Sequence, residues 1–194
     1  MDVEDATYLE AYFAGDAQAL GPLVEKTKRP LYGFLYRFAS SPAEADEWFQ
    51  ETWVRAIQHM NRKRPEKLQS WLFRIAHNLI IDQARRRKPD RSLDAPLSQS
   101  GDSLSTQIPD GALPPDLEAG GLDLGRRIET AAACLPLEQR EVFWLRMQSD
   151  LPFKEIARIQ NCSINTALAR MQYALEKLRT TLAPEYQELK ESAS

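Results

Sequence analysis

The sequence is poor in the side chains that do chemistry. Its 194 residues hold two cysteines, Cys134 and Cys162, and two histidines, His59 and His77. The cysteine spacing matches no zinc or redox motif, and the histidines fall on separate predicted helices, so a metal site has little to build on. Glycine is sparse, with eight residues, and no phosphate-cradling glycine loop occurs. No His, Cys or carboxylate cluster rises above chance spacing, so the chain does not read as an enzyme and calls for no cofactor. No run approaches about 18 uncharged apolar residues, which argues against membrane insertion. The start, Met1-Asp2-Val3-Glu4-Asp5, lacks the basic patch and apolar core of a secretory signal. The expected location is the cytoplasm.

What is present is helical periodicity and uneven charge. The net charge is −3, but residues 1–91 hold 15 Lys/Arg against 13 Asp/Glu, residues 92–120 hold five acids and no base, and residues 121–194 hold ten of each. A basic run, Arg85-Arg86-Arg87-Lys88, closes the first block, and Arg62-Lys63-Arg64 with Lys67 forms a second cluster. Local positive patches can bind phosphate even in an acidic chain. Residues 89–120 are dominated by Pro, Ser, Gly and Asp without hydrophobic periodicity, and read as a flexible acidic linker. No strand-like alternation and no repeat occurs. The expected fold is all-α: two small helical domains, residues 1–88 and 121–183, joined by the linker and followed by a polar tail, 184–194.

In the first domain the spacing predicts helices over 3–13, 17–39, 42–60 and 68–87. Pro30 is placed to kink the second. Ser41 caps the third, Pro42 suits its first position, and Glu44 completes a capping box. That helix is acidic (Glu44, Asp46, Glu47, Glu51) and aromatic (Trp48, Phe49, Trp53). Its acids disfavour DNA and suit a basic protein surface, with charge around an apolar centre; alternatively the aromatics fill the core. On the fourth helix, at about 100° per residue, Leu72, Ala76, Leu79 and Ile80 share an inward face. Trp71, Arg74, Asn78, Asp82 and Arg85 share the other. A tryptophan beside cations suits stacking on an unpaired base while holding the strand, and Arg86 and Arg87 extend the positive charge. Partial burial of Trp71 against a neighbouring helix is the competing reading.

In the second domain helices are predicted at 122–134, 137–147, 153–160 and 164–180, with Pro184 ending the order. Phe153–Arg179 carries a helix–turn–helix pattern. Ala157 supplies the small residue at the crossing, Asn161 occupies the turn position that takes a left-handed backbone, and Ser163 caps the next helix. Ile164, Ala167, Met171, Ala174 and Leu178 form its core stripe. Asn165, Thr166, Ala169, Arg170 and Tyr173 are left on or beside the outer face, with Lys177 and Arg179 as backbone anchors at most. An ordinary helical hairpin with a solvated face has the same spacing.

Together these stretches resemble the extracytoplasmic-function group of the sigma-70 family of RNA polymerase sigma factors. The resemblance lies in Gln50-Glu51-Thr52-Trp53 with Arg55-Ala56, and in Trp71, Leu72, Arg74, Ile75, Ala76, Asn78, Ile81, Asp82, Arg85 and Arg86. It continues in Leu135-Pro136 through Gln139-Arg140-Glu141-Val142-Phe143, and in Glu155-Ile156-Ala157. The resemblance implies a factor that directs core polymerase to promoters and aids DNA opening. Asp46, Glu47, Gln50, Glu51 and Arg55 would dock on the clamp helices of the polymerase's largest subunit, and the polymerase flap would be a further partner surface. Trp71, Arg74, Asn78, Asp82, Arg85, Arg86 and Arg87 would read the −10 promoter element. Ser163, Asn165, Thr166, Leu168, Ala169, Arg170, Tyr173 and Lys177 would meet the −35 element. An anti-sigma factor is implied as a further partner. The recognition helix departs from the family pattern: Leu168 stands where lysine is usual, and Gln172, Tyr173 and Leu175 replace residues that are often basic or hydrogen-bonding. Fewer cations mean weaker phosphate binding, and Leu168 suits a thymine methyl. Two other readings stay open: a helix–turn–helix regulator that binds operator DNA without polymerase, and a sigma-like interaction module that no longer reads DNA.

Overall fold

A computed structural model describes the backbone of residues 3–60, 64–87 and 119–192, with side chains over 4–60, 64–87 and 124–183. Most of the segment read as a linker lies outside the described residues, as do Arg62, Lys63 and Lys88. Among the described residues the chain is all-α. Helices α1 (Val3–Phe13), α2 (Leu20–Tyr36), α3 (Pro42–Met60) and α4 (Leu68–Arg87) form one cluster. Helices α5 (Ala119–Ala133), α6 (Leu137–Ser149), α7 (Phe153–Ile159) and α8 (Ile164–Ser192) form another.

Local chemistry sets the helix starts. The Ser41 hydroxyl accepts from the Glu44 backbone N–H at 3.2 Å, as an N-cap should. The Glu44 carboxylate reaches one residue beyond the cap, to the Ser40 N–H at 2.7 Å and hydroxyl at 2.5 Å. The expected start of α2 at residue 17 is corrected: Asp16 accepts from the Gln18 N–H at 3.0 Å and caps a 3-10 turn over Ala17–Ala19, so the α-helix begins at Leu20. Pro30 lies inside α2, which runs on to Tyr36. A second correction concerns the tail: α8 passes through Pro184 and continues to Ser192. Proline removes one backbone donor and crowds the preceding turn, and here the strong helix formers after it, Glu185 through Lys190, carry the helix on.

Packing joins the two clusters. Phe34, Leu35, Trp48, Trp53, Leu72, Phe73 and Ala76 are buried in the first; Val142, Leu145, Ile156, Ala157, Ala167 and Ala174 are buried in the second. Ala157 thus keeps its predicted place at the close crossing. Because α2 packs on α6 and α4 on α7, the two sets make one continuous apolar cluster. The approach at α2 is close: a Cβ on Gly33 would lie 3.0 Å from Gln148 Oε1. Phe34 anchors the first cluster, with ring centroids 5.1 Å from Phe38 and 5.3 Å from Phe73. Phe73→Ala is expected to cost about 3–5 kcal/mol through lost contacts and the cavity left behind, read as a lower denaturant midpoint.

Candidate nucleic-acid and protein interfaces

Helix α3 divides its side chains cleanly. Ala45, Trp48, Thr52, Trp53, Ala56 and Met60 point inward and are buried. The aromatics Trp48 and Trp53 therefore belong to the core. Asp46, Glu47 and Gln50 are exposed, and Glu51 and Arg55 are half-buried. Successive positions at i+3 and i+4 make these five residues one ridge. Arg55 Nε donates to Glu51 Oε1 at 2.7 Å, so this pair is partly self-neutralised. Val54, 47% exposed, supplies the apolar centre of the ridge. Asp46 also faces α2: burial first, and then the Asp46 carboxylate, holds the Tyr32 phenol above its ordinary pKa.

Helix α4 was expected to present one free face, and the structure divides it. Asn78, Asp82, Arg85 and Arg86 are exposed. Trp71 is half-buried and packs against the core, and Arg74 Nη2 donates to the Arg158 carbonyl of α7 at 2.8 Å. Next to them His77 Nδ1 lies 2.8 Å from Glu141 Oε1 of α6. The N-terminal part of the face thus borders the second cluster, with Arg74 itself still exposed, because the two halves pack side by side. Arg87 is exposed as well. Expected to extend the positive patch, it ion-pairs with Glu44 of α3 and lies over the Trp48 ring at 5.5 Å. Burial tends to raise the Glu44 pKa, but donors from Ser40 and Arg87 outweigh it and hold the carboxyl below its ordinary value.

A cleft of about 290 Å³ opens where α4 meets α7, with Arg64, Lys67, Ser70, Trp71, Arg74 and Arg158 in its lining. Within it Lys67 Nζ lies 2.9 Å and Arg158 Nη1 3.1 Å from Glu155 Oε1. The Lys67 contact leads the causes that lower the Glu155 pKa below the usual 4.5.

The helix–turn–helix holds its predicted turn. Asn161 has φ of 50°, the left-handed conformation that asparagine tolerates better than most residues. Ser163 Oγ accepts from the Thr166 N–H at 3.0 Å and pairs with the Thr166 hydroxyl at 2.8 Å, so these two side chains serve the helix start first. Asn165, Leu168 and Tyr173 are exposed, the last two by 38% and 60%, and Ala169 sits half-buried beside them. Arg170 does not face outward as expected: it donates to Gln160 Oε1 at 3.0 Å, because its place on the wheel turns it toward the α7–α8 turn. Lys177 likewise donates to the Cys134 carbonyl at 3.2 Å and ties α8 to the end of α5. Ile164, expected in the core stripe, is 44% exposed. Glu176 is exposed on the outer face and was missed; its charge opposes phosphate.

The sequence reading also missed the residues that join the halves. Arg37 Nη2 donates to Glu129 at 2.8 Å and lies over the Trp144 ring at 3.9 Å. Arg140 donates to the Arg37 carbonyl and lies over Phe38 at 4.7 Å. Burial, helped by the Arg37 charge, brings Arg140 down to about 10. Glu141 is fully buried, and its second oxygen accepts from Gln160 Nε2 at 3.1 Å. A line of hydrogen bonds therefore runs from His77 through Glu141 and Gln160 to Arg170, from α4 to α8. No local pattern in the sequence pointed to this line.

Comparison with known proteins follows this division. Residues 23–89 match the family model for Sigma-70 region 2, and residues 125–178 the model for Sigma-70, region 4. The chain is 34% identical over 171 residues to the ECF RNA polymerase sigma factor SigW of Bacillus subtilis, covering 87% of this chain and 91% of that one. It is 27% identical over 189 residues to the RNA polymerase sigma-H factor of Pseudomonas aeruginosa, covering 93% and 95%. Its fold is similar to the sigma factor RpoE solved in complex with the anti-sigma factor NepR from Bartonella quintana. The TM-score is 0.62 at 21% identity, covering 86% of this chain and 98% of that one.

Two outcomes follow. Asn161→Gly should leave stability unchanged or raise it slightly, whereas Asn161→Val should cost about 1–2 kcal/mol, the penalty for a β-carbon in the left-handed region, measured by thermal unfolding. Because the folded Glu155 pKa is lowered, its stabilising contribution is complete above 4.5 and fades as pH falls through the lowered value. Between pH 5 and 3, roughly, unfolding free energy should fall less steeply in Glu155→Gln than in the wild type.

Proposed function

The chain belongs to the extracytoplasmic-function group of sigma-70 family RNA polymerase sigma factors, and from that premise we propose how its helices share the work of directing core polymerase to promoters. Nothing in this task is covalent, and the chain is not an enzyme. The α3 ridge of Asp46, Glu47, Gln50, Glu51 and Arg55, with Val54 at its centre, docks on the clamp helices of the largest polymerase subunit. Helix α4 reads and opens the −10 element. Trp71 stacks on an unpaired base, Arg74, Asn78 and Asp82 flank it, and Arg85 and Arg86 hold the backbone. Stacking contributes roughly 1–3 kcal/mol per base, against an unpairing cost of a few kcal/mol. Arg87 keeps α3 and α4 in register.

Asn165, Leu168, Ala169 and Tyr173 form the surface offered to the −35 element, with Ser163 and Thr166 shaping the helix start and Arg170 and Lys177 as internal braces. The working units are residues 1–88 and 121–183, with the acidic segment 89–120 between them. The second unit also contacts the polymerase flap. An anti-sigma factor is the regulatory partner, and the site of action is the cytoplasm. Among the described residues no helix is long and apolar enough to cross a membrane.

The observation that carries this reading is the exposed row Asn78, Asp82, Arg85 and Arg86 on α4, continuous with Trp71 and Arg74 and set apart from the acidic ridge of α3. A regulator working without polymerase has little support, since the outer face of α8 offers few cations and one opposing acid, Glu176. In run-off transcription with core polymerase, Trp71→Ala should slow promoter opening about tenfold or more, as the loss of one stacked base implies, while holoenzyme forms normally. Glu51→Lys should impair holoenzyme formation instead. Loss of the same step in both variants would overturn the division.

A further inference from the structure

Arg74 and His77 of α4 find partners across the seam between the two clusters. Arg87, in the last turn of the same helix, takes its partners from within the first cluster. Its Nη2 donates to Glu44 Oε1 and lies 3.4 Å from the Ser40 hydroxyl, and its guanidinium carbon stands 5.5 Å from the centre of the Trp48 ring. These contacts draw it against the first turn of α3. The Glu44 carboxylate is set there independently of the arginine, because the Ser40 N–H and hydroxyl donate to it at 2.7 and 2.5 Å. Arg87 nonetheless stays exposed, directly after the exposed Arg85 and Arg86. One guanidinium therefore lies between an acid of its own chain and the surface that faces DNA.

We propose that Glu44 limits the grip of α4 on promoter DNA: it holds Arg87 as an internal counter-ion and keeps that cation from adding a phosphate contact to those of Arg85 and Arg86. This inference rests on the reading of α4 as the −10 helix. A carboxylate and a phosphate ask the same of a guanidinium, oxygens in the plane of its N–H fork, so they compete for it. The side chains of Arg87 and Glu44 are only 34% and 21% exposed. Salt weakens such a pair less than it weakens the contacts of a freely solvated cation, and the balance moves further toward the carboxylate as ionic strength rises. Glu44 is thus an affinity-setting residue that touches no DNA itself.

The test reads the salt dependence of promoter binding by preassembled holoenzyme, which separates the effect from docking of α3. The slope counts phosphate contacts, and a merely structural role would leave it unmoved. Each contact contributes about −0.9 to the slope of log affinity against log salt. Glu44→Gln removes the charge and keeps an oxygen that accepts from Ser40. It should steepen the slope by about 0.9, so that the ratio of affinities at 50 and 200 mM salt grows about 3.5-fold. Adding Arg87→Gln to Glu44→Gln should restore the wild-type slope. Arg87→Gln alone should flatten the slope clearly less than Arg85→Gln does, and that comparison stands even if Glu44→Gln fails to fold. An unchanged slope in Glu44→Gln would overturn the proposal. So would an equal loss from Arg87→Gln and Arg85→Gln in the otherwise wild-type chain, which would mean that Arg87 already grips DNA. If Arg85→Gln and Arg86→Gln leave the slope unmoved, the −10 assignment fails and takes the proposal with it. If they flatten it while Glu44→Gln does nothing, only the restraint of Arg87 fails.

Discussion

A carboxyl group shut away from water must find its hydrogen-bond partners inside the protein, and Glu141 meets that demand from both sides of the molecule. One oxygen is served by His77 of α4, the other by Gln160 of the helix–turn–helix turn, which in turn receives Arg170 of α8. Removing a partner from such a group leaves its desolvation uncompensated, so the orientations of α4, α6 and α8 are mutually dependent in this state. The apolar cluster supplies the bulk of the cohesion; this line of polar contacts gives the arrangement its register.

The surfaces outside that line divide by charge. Acids, with Gln50, Val54 and Arg55 among them, occupy the free side of α3, while short polar groups and arginines occupy the free end of α4. Two exposed arginines of this surface also have partners within the protein, Arg87 with Glu44 and Trp48, and Arg74 with the Arg158 carbonyl. Salt screens the exposed cations, but the partly buried pairs much less. Electrostatic reach toward nucleic acid is therefore concentrated at Arg85 and Arg86.

The helices that carry strong local signals were legible in the sequence. The Ser41–Pro42–Glu44 cap and the proline after α4 bound α3 and α4 within a residue, and Asn161 announced the turn through its tolerance of positive φ. The split of α3 into core aromatics and an outward ridge follows from periodicity once the inward face is known. Less was legible where tertiary neighbours decide. A helical wheel gives the direction of Arg74, Arg87 and Arg170 but not what waits there, and in each case a carbonyl, carboxylate or amide captures the guanidinium. The seam itself joins residues 64 to 103 positions apart, such as His77 with Glu141 and Arg140 with Arg37, and no local pattern encodes such pairings. Pro184 signals a helix end, yet it costs α8 a single backbone donor, and the helix-forming residues that follow it carry the helix on.

The outer face of α8 offers an aliphatic side chain, Leu168, where a cation would grip the phosphate backbone. Contact through a methyl group is blind to the hydrogen-bonding edge of a base and registers only its hydrocarbon. An upstream promoter element recognised in this way would lose contact when thymine is exchanged for uracil, an exchange that preserves base pairing. It would also change little with ionic strength, in contrast to recognition anchored on phosphate.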